Sequence, residues 1–401
     1  MDFSLDKEHE LFKKTVREFL QRELEPISKD IDSKKEIPRE FIKKMAEFGL
    51  LGLTLSSEYG GIEADNISAV IAAEEIGRAD ISVATAVYYL LLASWSKILE
   101  KYGTEEAKQE FLPKITKGEW FMGIASTEPH GGSDVLNINT TMKVEHNNLI
   151  VNGEKIFISG VKEASLYGGG FVTIVKHDPS KGHRGIAAVL TTIKDNEHVE
   201  TGIIENMGRG GISTGYIKYN DTPYPQEYLI GDMERGFYYA MEGFNLARPL
   251  VAAACIGAAE KALDIGLDFI KNRIMFGRPL AKYEAIQFEA VEDYIKLEMA
   301  KDLVYKTAWM LDEYYRNKRF ALSDINKMVA ASKWIATETA YNILTHVMMW
   351  HGALGYSKEL PIERGLRGIL SYLVGAEGAI NIMKLIIGRE LFGRDFMPTK
   401  P

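Results

Sequence analysis

The sequence predicts an α+β protein in three parts: an N-terminal α-helical domain over residues 1–118, a small middle β-domain over 119–230 and a C-terminal four-helix bundle over 231–401. Three observations carry this reading. Apolar residues recur at helical spacing through both ends of the chain, and short β-branched runs separated by turn residues occupy its centre. The 401 residues also exceed what one hydrophobic core usually organises.

Phe12, Val16, Phe19, Leu20 and Leu24 keep a helical stripe until Pro26, and Phe41, Met45 and Phe48 do the same between Pro38 and Gly49. Ala-rich and Leu-rich helices continue from Asn66 to Gly118. From Trp120 the texture changes. Asn152-Gly153, between Leu149–Val151 and Ile156–Ile158, predicts a hairpin, because both residues accept the positive φ of a tight turn. Phe171–Val175 and Gly185–Ile193 read as further strands, and Pro223-Tyr224-Pro225 closes the region. After Gly236 long helices are predicted over 237–273, 283–317, 322–350 and 375–393. Apolar stripes such as Ile286, Val291, Ile295, Met299 and Leu303 suggest that they form a bundle. No repeat of solenoid or propeller length is present.

Composition excludes several function classes. Forty-eight basic against 56 acidic residues leave a net charge of -8, which works against nucleic acid as a partner. One cysteine, Cys255, excludes an intramolecular disulfide and a thiolate metal cluster; its setting among alanines marks a small buried side chain. The opening residues have neither the basic start nor the apolar run of a signal peptide, so a cytoplasmic location is expected. The longest uncharged stretch, Ile81 to Ser96, falls short of the roughly 20 apolar residues of a membrane span.

Motifs for dinucleotide folds, phosphate loops and zinc proteases are absent. Ser126, His130 and Asp134 sit too close in one turn to converge as a nucleophilic triad. The same turn, Thr127-Glu128-Pro129-His130-Gly131-Gly132-Ser133-Asp134, carries glycines, backbone donors and hydroxyls at the junction of an α-domain and a β-domain. It can serve as a structural turn or hydrogen-bond a heteroaromatic ring.

Five segments in order resemble the marker segments of the acyl-CoA dehydrogenases: Phe48 to Gly61, Thr127 to Asp134, Arg273-Ile274-Met275-Phe276-Gly277-Arg278-Pro279-Leu280, His351 to Tyr356, and Glu377-Gly378-Ala379-Ile380-Asn381-Ile382. The resemblance covers nearly the whole chain and implies the same α-β-α fold. It implies FAD as cofactor, an acyl-CoA thioester as substrate, an electron-transferring flavoprotein as electron acceptor and a homotetramer built as a pair of dimers. The implied reaction removes a proton from Cα and a hydride from Cβ, giving the trans-2-enoyl-CoA.

Glu377 stands where the resemblance places the catalytic base, counted back from Lys384 to Arg389, at the start of the last predicted helix. Some relatives carry the base just before an Arg-Pro pair, but here Ala247 precedes Arg248-Pro249 and cannot accept a proton. For the flavin, the resemblance implies contacts from Ile124, Ser126, Thr127 and Ser133, with Phe157 packing on the isoalloxazine and Ser159 near N5. Phe157 also reads as an inward strand residue. Arg273 and Phe276 are implied to reach a neighbouring subunit's FAD. Glu284, Met349, Gly352, Ala353, Ala379 and Asn381 complete the implied cofactor contacts. Ser133, Asn245, Arg248, Gly378 and Arg389 are implied on the substrate side, and no metal is expected. The readings in competition are an oxidase or a flavin monooxygenase on the same scaffold, and a non-catalytic CoA-ligand or scaffold subunit.

Overall fold

The computed structural model describes residues 4–398. The N-terminal part holds six helices: α1 Lys7–Glu23, α2 Ser28–Lys34, α3 Arg39–Glu47, α4 Asn66–Ala79, α5 Ala84–Tyr102 and α6 Glu105–Thr116. Side-chain caps fix several starts. Asp6, Asp65 and Thr104 accept from the backbone amides of His9, Ser68 and Ala107, so each helix begins with one orphan donor satisfied.

The middle part is a seven-stranded sheet. Its strands are β1 Phe121–Ala125, β2 Thr141–Glu145, β3 Asn148–Ser159, β4 Gly169–Lys176, β5 Ile186–Thr191, β6 Val199–Ile203 and β7 Thr214–Pro225, with helix α7, Val161–Tyr167, between β3 and β4. Along the sheet the order is β1-β4-β2-β3-β7-β6, with β5 also paired to β4. The expected hairpin at Asn152-Gly153 is corrected: the chain runs straight through it inside β3. Pairing with β7 shifts register between Val151 and Gly153, so this glycine marks a bulge rather than a turn. The real hairpin turn is His146-Asn147, both at positive φ, between the paired residues Glu145 and Asn148.

The C-terminal part contains α8 Gly236–Asn272, a short hairpin of β8 Ile274–Met275 and β9 Arg278–Pro279, α9 Glu284–Asn317, α10 Leu322–His351, the one-turn α11 Ala353–Tyr356, α12 Ile362–Val374 and α13 Ile380–Phe392. Two expectations change here. The segment 375–393 is not one helix: Gly375 to Ala379 form a loop, and α12 stands before it as a separate helix. On α9, Val291, Ile295 and Met299 face outward and are exposed, so that stripe does not enter the bundle core.

Helix α8 packs against α10, α4 and α5 and so joins the two helical parts. Gly77 on α4 and Gly257 on α8 let the backbones touch, since a Cβ on either would clash with the carbonyl of Ala254 or of Glu74. Charges tie α4 to its neighbours. Arg17 grips the buried Glu75 with two bonds of 2.8 and 2.7 Å, and Lys301 bridges Glu260 at 2.5 Å and Glu74 at 3.2 Å. Cys255 is wholly buried in α8, and burial pushes its thiol well above the ordinary range. Among the described residues no helix is long and apolar enough to cross a membrane.

Candidate active site

Where the three parts meet lies a cleft of about 1580 Å³. Its middle-domain wall comes from the end of β1 and the turn after it, with Ile124, Ser126, Thr127 and Ser133, and from the end of β3, with Phe157 and Ser159. One buried carboxylate shapes that turn. Glu128 accepts the amides of Asn139 (2.6 Å) and Thr140 (2.9 Å) and the Lys155 Nζ (2.7 Å). Lys155 also donates to the Ser126 carbonyl at 3.2 Å, and the Ile156 amide to the Thr127 carbonyl at 2.9 Å. Burial pushes Lys155 down to about 8, with Glu128 opposing. Burial would push Glu128 up, yet Lys155 and the turn's donors hold it below the usual carboxylate range.

Phe157 sits at a second register shift of β3, between Ile156 and Ile158, with φ 57°. An aromatic residue rarely takes this left-handed backbone, and here it turns the ring into the cleft with 60% of its surface exposed. The inward residue is Ile158, so the reading of Phe157 as an ordinary inward strand position is corrected. Beside it, Ser159 pairs in register with Thr214 of β7, whose buried hydroxyl has no hydrogen-bond partner among the described residues. An exposed aromatic face with hydroxyls along its edge fits a flavin ring.

The opposite wall belongs to the C-terminal part. Glu377 lines it from the loop between α12 and α13, only 8% exposed. It is therefore not in the first turn of a helix, as the sequence suggested. Three successive left-handed residues, Ala376 at 32°, Glu377 at 57° and Gly378 at 102°, make the bend that aims this loop. Two buried cations hold it. Lys333 of α10 donates its Nζ to the carbonyls of Tyr372, Gly378 (2.7 Å) and Gly375 (3.4 Å). Arg248 of α8 donates its Nε to the Glu377 carbonyl at 3.0 Å and its Nη1 to Asn245 Oδ1 at 2.9 Å. The relay continues from Asn245 to Asn326 (2.9 Å) and on to Glu390 (3.2 Å), which also takes Arg389 at 2.8 Å.

Burial pushes the Glu377 carboxyl above its usual range, opposed in order by Arg248, Lys333 and Arg209. Burial likewise draws Arg248 down to about 10 and Lys333 to about 8. A buried carboxyl of raised proton affinity, sharing a cleft with an exposed aromatic platform, is equipped to take a proton from a weakly acidic carbon.

Ile124, Ser126, Thr127, Ser133, Phe157, Ser159, Arg248, Glu377, Gly378, Ala379 and Arg389 thus share one cleft. Asn245 stands behind it as the support of Arg248. Arg273, Phe276, Glu284, Met349, Gly352, Ala353 and Asn381 are outside its lining, all on the surface of this chain, with Phe276 92% and Met349 73% exposed. The turn residue His130 bonds the Asn137 carbonyl at 2.8 Å and Asp134 accepts from Asn137, so no triad forms with Ser126. Sequence reasoning missed Arg209, Lys333 and Tyr372. Lys333 left a signal, a lone charge in the apolar run from Val329 to Ala336. Arg209, set among Gly208, Gly210 and Gly211, left none that separates it from a surface loop.

Comparison with known proteins agrees along the whole chain. Residues 6–119, 123–222 and 234–392 match the family models for the N-terminal, middle and C-terminal domains of acyl-CoA dehydrogenase. An acryloyl-CoA reductase (NADH) of Anaerotignum propionicum is 35% identical over 98% of this chain and 97% of its own. The subunit CarC of the caffeyl-CoA reductase-Etf complex of Acetobacterium woodii is 33% identical over 96% and 98%. The solved glutaryl-CoA complex of glutaryl-coenzyme A dehydrogenase superposes with a TM-score of 0.90 at 28% identity, covering 100% of this chain and 99% of that one. The chain belongs to the acyl-CoA dehydrogenase family of oxidoreductases, whose cofactor is FAD.

Proposed function

We propose that the protein catalyses α,β-dehydrogenation of an acyl-CoA thioester to the trans-2-enoyl-CoA, with Glu377 taking the α-proton. The observation that carries this reading is the buried Glu377 carboxyl, raised in proton affinity, on a loop held by Arg248 and Lys333 and lining the same cleft as Phe157. FAD, when bound, supplies a hydride acceptor at N5. Phe157 gives its ring a face to pack on, while Ser126, Thr127 and Ser159 offer hydrogen bonds along its edge and Ile124 an apolar contact. Ser133 serves cofactor or substrate, and Ala379 approaches from the C-terminal side. Gly378, Arg248 and Arg389 face the thioester and its CoA portion, with Asn245 orienting Arg248.

Once Glu377 takes the proton it is neutral, and Arg248, Lys333 and Arg209 leave a positive surplus around the substrate. That surplus favours negative charge developing on the thioester oxygen. By microscopic reversibility the same groups serve enoyl-CoA reduction, with Glu377 as the acid. Two relatives named above are reductases, so the electron partner sets the direction.

An electron-transferring flavoprotein is the proposed partner, supported by the Etf complex of the Acetobacterium relative. A homotetramer is proposed from the outward apolar stripe of α9 and the exposed Arg273–Phe276 hairpin. In that assembly Arg273, Phe276, Glu284, Met349, Gly352 and Ala353 serve a neighbouring subunit's FAD. Light scattering checks the assembly, and anaerobic electron transfer to an added flavoprotein checks the partner.

Glu377→Gln tests the central step. The amide keeps the shape but accepts no proton, so anaerobic bleaching of the flavin by an acyl-CoA is expected to slow about a hundredfold to ten-thousandfold. The variant stays yellow and still binds the thioester. Bleaching at the wild-type rate overturns the assignment.

A further inference from the structure

One guanidinium of that positive surplus has no bonded partner of its own. Arg209, on the loop before β7, lines the cleft, yet its side chain makes no hydrogen bond or ion pair among the described residues, and its Nε is fully enclosed. Its backbone is left-handed at φ 58°, which turns the side chain along α12 until the guanidinium lies 6.0 Å from the Tyr372 ring centre. The Tyr372 hydroxyl is also buried without a partner. Asp32, which lies against Gly210, and Glu363 are both taken by Arg367, at 2.7 Å each. Within the cleft, Glu377 is no ion-pair partner of Arg209 and already sits among Arg248 and Lys333.

A guanidinium half-buried in a binding cleft, with its Nε shut off from solvent and unpaired, suits a ligand that brings the missing acceptor. Its place tells which part of the ligand. Gly211, two residues on, packs against Ala84 at the start of α5, and Gly368 of α12 against Ser82. Arg209 therefore stands at the α5 end of the cleft, where Val87, Leu90 and Leu91 supply an apolar lining. A wall of that kind fits an acyl chain, with a cation at one side of it.

We infer that Arg209, assisted by the Tyr372 hydroxyl, is a specificity-determining residue that binds a carboxylate carried on the acyl chain of the substrate. The substrate class is then a dicarboxylic acid joined to CoA through one carboxyl. This rests on the acyl-CoA reading above and narrows it. A guanidinium and a phenol hydroxyl match the two oxygens of a carboxylate, and the positive surplus of the cleft accommodates the added negative charge.

The test is anaerobic flavin bleaching with pairs matched in carbon count: succinyl-CoA against butyryl-CoA, glutaryl-CoA against valeryl-CoA, and adipyl-CoA against hexanoyl-CoA. In the wild type the carboxylated member of the best pair is expected to lead in kcat/KM by at least about tenfold, the scale of one charge-assisted hydrogen bond. Arg209→Leu is expected to abolish that preference and Arg209→Lys to keep part of it. Spectral titration of the wild type gives a Kd ratio for the same pair that does not depend on any variant folding. Equal use of both members by the wild type overturns the inference. So does an unchanged ratio in Arg209→Leu with both rates lowered and the pH profile displaced, because Arg209 then acts through Glu377. Bleaching by neither member of any pair overturns the acyl-CoA reading instead.

Discussion

The two walls of the cleft each contain a buried lysine drawn down to about 8, Lys155 in the middle domain and Lys333 in the C-terminal part, yet they are satisfied differently. Lys155 meets a carboxylate, and the Glu128 pair closes its charge locally while tying the turn from Ser126 to Thr140 to β3. Lys333 meets only backbone carbonyls, so its charge is left to act on Glu377. One wall is a neutral, braced platform; the other keeps an unbalanced field around its one acid. Catalysis by a carboxylate in a buried site requires the second arrangement, while a surface that must only present hydroxyls and a ring requires the first.

Removing each lysine separates these roles. Lys155→Met leaves Glu128 buried without its ion, and a loss of about 3–5 kcal/mol is expected in urea denaturation. Flavin retention should fall with it, because the turn from Ser126 to Thr140 loses its brace.

Lys333→Met is expected to cost less, about 1–3 kcal/mol for carbonyls left unsatisfied, but to move the chemistry more. Glu377 must be ionised to act, so the rate is lost as pH falls through its raised midpoint. Removing a cation that lowers that midpoint shifts it further up. The sign for stability is opposite. A carboxyl whose folded proton affinity exceeds its unfolded one stabilises the folded chain most when protonated, and that contribution fades as pH rises from the ordinary carboxylate value through the raised one. A pH profile of bleaching that stays in place in Lys333→Met would reduce Lys333 to a loop brace like Lys155. The smallest effect is expected in the pair Lys155→Met with Glu128→Gln, which removes the ion and its counter-ion together and recovers most of the single variant's loss. A double variant as unstable as the single one would show that packing, rather than charge, holds the first wall.

The order α, β, α was legible because helical and strand periodicities differ over long stretches. So was the cleft's list of hydroxyls, since the motif from Thr127 to Asp134 lies in one turn. The misses have physical causes. Asn152-Gly153 suits a turn and a bulge equally, and only pairing with β7 across many residues decides for the bulge. Gly375 to Ala379 resemble the start of a helix locally, but the clamps from Lys333 and Arg248 hold them in a left-handed bend. The α9 stripe declares an apolar face without saying what covers it. Arg209 enters the cleft through one backbone angle, which no side-chain pattern announces.

Cys255 has a practical consequence. It is the only cysteine of the chain, and it is wholly buried in α8, the helix packed against α10, α4 and α5. A thiol reagent can reach it only when that seam opens, and only the ionised sulfur then reacts. The chain thus carries a built-in clock. When reclosing outpaces labelling, the modification rate reports the free energy of opening, and a dependence of that rate on added FAD or thioester reports how far each ligand holds the helical parts together.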